Sequence, residues 1–176
     1  MARGRVRERD RGWARIRKAV KAADGAGVKV GVLAAAGNHD QDDGGVQPVT
    51  VAQVASWNEF GAGLKKDGTK RIPERPAFRQ AIDGAREELR TEIVGAAVEV
   101  LLGEKVPRAL GSVGLMAQAL IRAKITALRD PPNAEITKER KGSSNPLIDT
   151  GQLRGSVTWE VVTGPAARAA RRQRAV

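Results

Sequence analysis

Three short stretches hold residue types that could do chemistry. Leu147-Ile148-Asp149-Thr150-Gly151 places one carboxylate in a glycine-bearing turn after apolar residues. Two such carboxylates, close enough to share a proton, form a general acid–base pair. His39-Asp40-Gln41-Asp42-Asp43-Gly44-Gly45 gathers the single histidine with three carboxylates. Counted from Asp40, a calcium loop needs an oxygen ligand at its fifth position and a glutamate at its twelfth. Those positions hold Gly44 and Val51. A Ser-His-Asp arrangement would depend on His39 in the same acidic loop. Gly25-x-Gly27 lacks the third glycine of a dinucleotide turn, and Gly61-x-Gly63 runs into Leu64-Lys65-Lys66 outside the phosphate-loop register. The absence of cysteine excludes disulfides, thiolate metal sites and cysteine nucleophiles. The expectation is therefore no catalytic residue, no metal site and no cofactor.

The elements that would position these stretches are legible from periodicity. Residues 10–22 predict a short basic helix, with Trp13, Ile16 and Val20 on one side. Val28, Val30 and Val32 alternate and predict a strand. Thr50-Val51-Ala52-Gln53 matches a capping box, with Val49 and Val54 placed for the accompanying staple. That helix should stop near Phe60, because Gly61 suits a left-handed cap. Residues 37–48 and 61–75 are expected to be loops.

A single long helix is predicted from about Pro76 to Leu102. Phe78, Ile82, Ala85, Leu89, Ile93, Ala96 and Val100 form its apolar stripe. Another helix spans about 109–129 and ends at Asp130-Pro131-Pro132. Residues 131–149 are again expected to be loop. Val157, Trp159 and Val161 then alternate with Ser156, Thr158 and Glu160 as a half-buried strand. The fold class expected is α+β, two long helices packed on a small, mainly antiparallel sheet, with long flexible loops and basic terminal extensions.

At 176 residues the chain supports one domain and an adequate core. With only Trp13, Trp57, Trp159, Phe60 and Phe78 as aromatics, that core must be largely aliphatic. Charge divides the chain into three parts. Residues 1–24 form a basic extension, in which Arg3, Arg5, Arg7, Arg9, Arg11, Arg15, Arg17, Lys18 and Lys21 face only Glu8, Asp10 and Asp24 as acids. Residues 25–163 form the α+β domain. Residues 164–176 form a tail with Arg168, Arg171, Arg172 and Arg174 and no acid. Cationic ends of this type suit DNA, an acidic protein surface or an anionic membrane. No apolar run approaches the roughly 18 residues of a membrane span, and the basic N-terminus lacks a signal peptide's apolar core. Synthesis and assembly in a cytoplasm are expected.

Two resemblances follow from the motifs. The Asp149-Thr150-Gly151 turn resembles the active-site loop of retroviral-type aspartic proteases, but that fold is nearly all strands and carries its motif early. Here long helices precede the motif. The wider series resembles the neck or tail-completion proteins of long-tailed phages, including minor tail components related to phage lambda's protein Z. It comprises Val30-Gly31-Val32-Leu33, then Val54-Ala55-Ser56-Trp57-Asn58-Glu59-Phe60-Gly61, then Ile72-Pro73-Glu74-Arg75-Pro76-Ala77-Phe78. After two long helices, the last segment runs Asn145-Pro146-Leu147-Ile148-Asp149-Thr150-Gly151-Gln152-Leu153-Arg154-Gly155-Ser156-Val157. Ala77 departs from the pattern, since many relatives place the aromatic directly after the proline.

This resemblance, covering about residues 28–162, implies a structural virion protein and not an enzyme. It implies a ring of copies, with six as the family-level expectation, at the tail–head junction of the virion. The partners implied are the neighbouring connector, tail-terminator or tail-tube proteins, with no membrane. The 37–48 and 61–75 loops become candidates for subunit contacts. The basic ends fall outside the shared region, and their charge alone suits either non-specific contact with packaged DNA or acidic faces of neighbouring rings. The alternatives are a tail-terminator or other minor tail role, a free nucleic-acid-binding role and, last, an aspartic protease using Asp149.

Overall fold

A computed structural model describes residues 12–33, 36–38, 49–64, 66, 68, 70–141 and 144–164. Most of both basic ends, and the His39 loop through residue 48, lie outside the described residues. The chain runs α1 (Trp13–Ala23), β1 (Gly27–Val32), α2 (Val51–Phe60), β2 (Ala62–Leu64) and β3 (Lys70–Ile72). It continues with α3 (Ala77–Gly84), α4 (Arg86–Leu102), α5 (Val106–Ala127), α6 (Glu135–Lys141), α7 (Gln152–Ser156) and β4 (Val157–Val162). This is the expected α+β class, with helices packed on a small antiparallel sheet.

β1 and β4 pair antiparallel in the register Val28↔Val161, Val30↔Trp159 and Val32↔Val157. Alternation puts these six side chains on one face, and Lys29 and Glu160 meet on the other at 3.1 Å. α5 packs on both strands. Its approach depends on Gly111 and Gly114, one turn apart. A Cβ on Gly114 would lie 2.4 Å from Trp159 Cδ2, so the indole fills the space a side chain would take.

α5 also packs against α3 and α4, and its length divides the interior into two clusters. Toward its C-terminus, Ile121, Ile125 and Leu128 meet Val51, Ala55, Ala77, Ala81, Leu147, Leu153 and Val157. Toward its N-terminus, Val106, Ala109 and Val113 meet Ala96 and Val100, with Ala19 and Ala23 of α1 packed alongside.

Four expectations need correction. The helix expected over 76–102 is two helices, broken at Ala85 (φ −113°, ψ 27°) directly after Gly84. Glycine weakens a helix interior, and the break lets α3 follow one cluster and α4 the other. Ile93, assigned to the buried stripe, is half exposed. The segment expected as a loop over 61–75 contains the β2–β3 hairpin, with Ala62 opposite Ile72 and Leu64 opposite Lys70. The loop expected over 131–149 contains α6. Short amphipathic pieces of three to seven residues leave too few periods to be read locally.

The local signals elsewhere match. Thr50 and Gln53 form the capping box, with the Gln53 N–H donating to Thr50 Oγ1 at 3.2 Å and the Thr50 N–H to Gln53 Oε1 at 2.9 Å. Gly61 ends α2 where expected and with a positive φ of 71°, but its ψ of 157° is extended and not that of the left-handed helical cap expected.

Candidate functional site

Among the described residues, two buried charged side chains with many hydrogen bonds lie where α2 ends and α3 begins. Glu59, in the last turn of α2, is buried. Its carboxylate accepts from the backbone N–H of Phe78 at 3.0 Å and of Arg79 at 3.0 Å, and from Arg79 Nε at 3.1 Å. Glu59 therefore caps α3 from another helix, placing a negative charge at the positive end of the helix dipole. Pro76 fits this geometry because the first turn of a helix has no intrahelical use for its missing N–H. Arg79 closes the arrangement, donating from Nη2 to the Glu59 carbonyl at 3.1 Å while its guanidinium lies 5.2 Å from the Phe60 ring centre.

Arg75 is the second buried charge. It donates from Nε to Pro131 O at 2.8 Å and from Nη2 to Pro132 O and Asn133 Oδ1, each at 3.1 Å. Nη1 reaches Asn58 Oδ1 at 3.4 Å, and the Arg75 N–H donates to the Asn58 carbonyl at 2.6 Å. Asn58 Nδ2 donates in turn to Val54 O at 2.9 Å. Burial pushes the guanidinium below its usual pKa. With four acceptors collected from α2 and the 131–133 turn, Arg75 ties three segments together that are far apart in sequence.

Gly61 completes the joint. A Cβ there would lie 2.5 Å from Lys70 Cδ and 2.9 Å from the Ile72 carbonyl oxygen, so only glycine lets the hairpin fold back. Lys70 Nζ then donates to Phe60 O and to Glu74 Oε1, each at 2.5 Å. The hydrogen bond and charge of Lys70 hold the Glu74 carboxyl below its usual range.

The Asp149 turn packs on the same interior. Asn145 accepts from the Leu147 N–H at 3.0 Å and donates to Thr126 O at 3.1 Å. Leu147 and Leu153 enter the cluster with Val51 and Ala77. Gly151 takes φ 84°, the Gln152 N–H donates to Thr150 Oγ1 at 3.3 Å, and Gln152 Nε2 donates to Asn38 O at 3.0 Å. Asp149 thus belongs to the turn that starts α7 in a helix-rich domain, a setting unlike the all-strand protease framework. Among the described residues no group of three or more His, Asp or Glu is arranged to hold a metal.

A shallow groove lined by Arg122, Thr126, Arg129 and Arg154 gathers cationic side chains. Two of its arginines are used internally. Arg122 Nη2 donates to Val157 O at 2.8 Å and Gly155 O at 3.2 Å, and Arg129 Nη1 to Thr126 O at 2.5 Å and Leu128 O at 3.0 Å.

The unsatisfied surface lies at the other end of the molecule. On α4, Val94, Val98, Leu101 and Leu102 are exposed at spacings of four, three and one, which places them on one face. Sequence periodicity missed this face because the half of α4 from Ile93 to Leu102 is apolar on most sides, which blurs the inner stripe. The available signal was that excess of apolar residues outside the stripe.

Comparison with protein-family models, curated proteins and solved structures finds no match to this chain. Among the described residues, no helix is long and apolar enough to cross a membrane.

Proposed function

We propose that this chain is a non-enzymatic structural subunit of a tailed-phage particle, acting at the head–tail junction as a neck or tail-completion component. One observation carries the reading. The four segments that resemble that family each supply residues to a single cluster: Val30 and Val32, Ala55, Ala77 and Phe78, and Leu147, Leu153 and Val157. The motif glutamate and arginine, Glu59 and Arg75, are spent on joining those segments. A protein that works through contacts with its neighbours uses its distinctive residues in this way, to hold a rigid body that presents surfaces. In this role copies of the chain associate about the tail axis, and cyclic closure makes each contact repeat.

Electron microscopy of lysates from the source phage or prophage with this gene inactivated tests the role. Filled heads separated from tails are expected, and abnormal tail ends would narrow the role to tail completion. Intact, infectious virions in normal numbers would overturn it.

A further inference from the structure

We infer that α1 of one copy packs across the outward face of α4 of a neighbouring copy, making a helix-on-helix contact between second copies of this chain. The inference deepens the proposed role by naming a contact, and rests on that role only for the contact's place in a virion.

Both helices are incompletely covered in a single copy. α4 has 17 residues, of which only Leu89, Ala96 and Val100 are buried. Its exposed stripe, Val94, Val98, Leu101 and Leu102, is bordered by Glu88, Glu92 and Glu99, which share one face by their spacing of four and seven. None of these three carboxylates has an ion-pair partner among the described residues. Gly95 lies between the stripe and the acidic row, and a Cβ there would meet only open space. Nothing inside the fold uses that glycine, although it weakens the helix. On an outward face it permits close approach by another helix.

α1 has the complementary character. It has 11 residues, none buried, and no side-chain cap at its N-terminus. A helix of that length is marginal without packing, and within its own copy it packs on the inner side of α4, where Ala19 and Ala23 meet the cluster of Ala96 and Val100. Its exposed side carries Trp13, Arg17, Val20 and Lys21 at spacings of four, three and one, the same pattern as the α4 stripe. Arg15 and Lys18 flank that side, and α1 contains no acid. None of its four cations is ion-paired among the described residues. Trp13 and Val20 against the apolar stripe, with Arg17 and Lys21 against the acidic row, give the contact both its attraction and its register.

The test uses the full chain and reads self-association by sedimentation velocity over a concentration series. Wild-type protein should associate reversibly. Glu92→Lys with Glu99→Lys, and separately Arg17→Glu with Lys21→Glu, should each weaken association by roughly tenfold or more. An equimolar mixture of the two variants, and the single chain carrying all four reversals, should each recover it. Arg17, Lys21 and Glu99 are exposed and Glu92 is half-buried beside the stripe, so circular dichroism is used to check that each variant folds. A monomer at every concentration overturns the contact, and so does association that neither pair of reversals changes. Association insensitive to the α1 reversals, while those reversals abolish retention of duplex DNA, also overturns it and assigns α1 to nucleic acid. Any of these outcomes leaves the lysate experiment untouched, so failure of the contact and failure of the virion role are read separately.

Discussion

Glu59 and Glu92 are both helix carboxylates, and their surroundings differ in almost every respect. Glu59 is buried and accepts two backbone N–H groups and a guanidinium. Glu92 stands on α4 beside an exposed apolar stripe, with no ion-pair partner among the described residues. The same contrast separates Arg75, whose donors find oxygens on α2 and on the 131–133 turn, from Arg17, whose guanidinium is ion-paired to nothing described. One end of the molecule satisfies its charges internally and the other leaves them outward. A buried charge that lost its partners would cost several kcal/mol, so the first end must be complete for the chain to fold. The second end carries no such requirement, and its composition is free to serve contact with another molecule.

Substitutions at the two ends should therefore separate stability from association. The largest effect is expected for Arg75→Ala, which leaves the carbonyls of Pro131 and Pro132 and the amides of Asn58 and Asn133 without their donor. A loss of about 3–5 kcal/mol by urea denaturation is expected, and a loss below about 1 kcal/mol would break the account of the joint. Glu59→Ala removes the cap on α3 and should cost about 2–3 kcal/mol, with Glu59→Gln recovering part of it.

Gly114→Ala tests the middle of the molecule. Its Cβ would meet the Trp159 ring at 2.4 Å, so overpacking should cost about 1–3 kcal/mol. Combining it with Trp159→Leu should return much of that loss, and simple additivity in the double variant would show that the indole is not the obstacle. At the outward end, Val98→Asp should change unfolding free energy by less than about 0.5 kcal/mol. A larger loss would mean that Val98 is part of the core and would blur the contrast between the two ends.

The smallest effect concerns Glu74. Its folded pKa is depressed, by the Lys70 hydrogen bond first and its charge second, so its contribution is present above the ordinary carboxylate range. That contribution is lost as pH falls through the depressed value. Both groups are solvent-exposed, so Lys70→Met should remove only a slight acid dependence, read by comparing midpoint denaturation in the acidic range.

Several features were legible because their causes are local. Thr50 and Gln53 cap α2 across three residues. Gly61 ends α2, and Val28, Val30 and Val32 alternate with their partners on β4. The joint was visible only as a pair of motifs. Asn58-Glu59-Phe60-Gly61 and Arg75-Pro76-Ala77-Phe78 could be read as marks of a family resemblance, but not as one bonded unit. The hairpin over 62–72 was missed because two strands of three residues offer too little alternation. The break at Ala85 was missed because the heptad-like spacing continues through it, with Ala81, Ala85 and Leu89 all buried.

By itself the sequence determined what depends on neighbours along the chain: the α+β class, the principal helices and strands, the capping box, and a neutral body between cationic ends. Tertiary structure alone decided which carboxylate and which guanidinium would be buried, where the helix after Pro76 would bend, and which apolar residues of α4 would remain outside. Helix periodicity assigns residues to faces, but the assignment of a face to core or solvent depends on what packs against it. α5 covers one side of α4, and the stripe from Val94 to Leu102 lies beyond its reach.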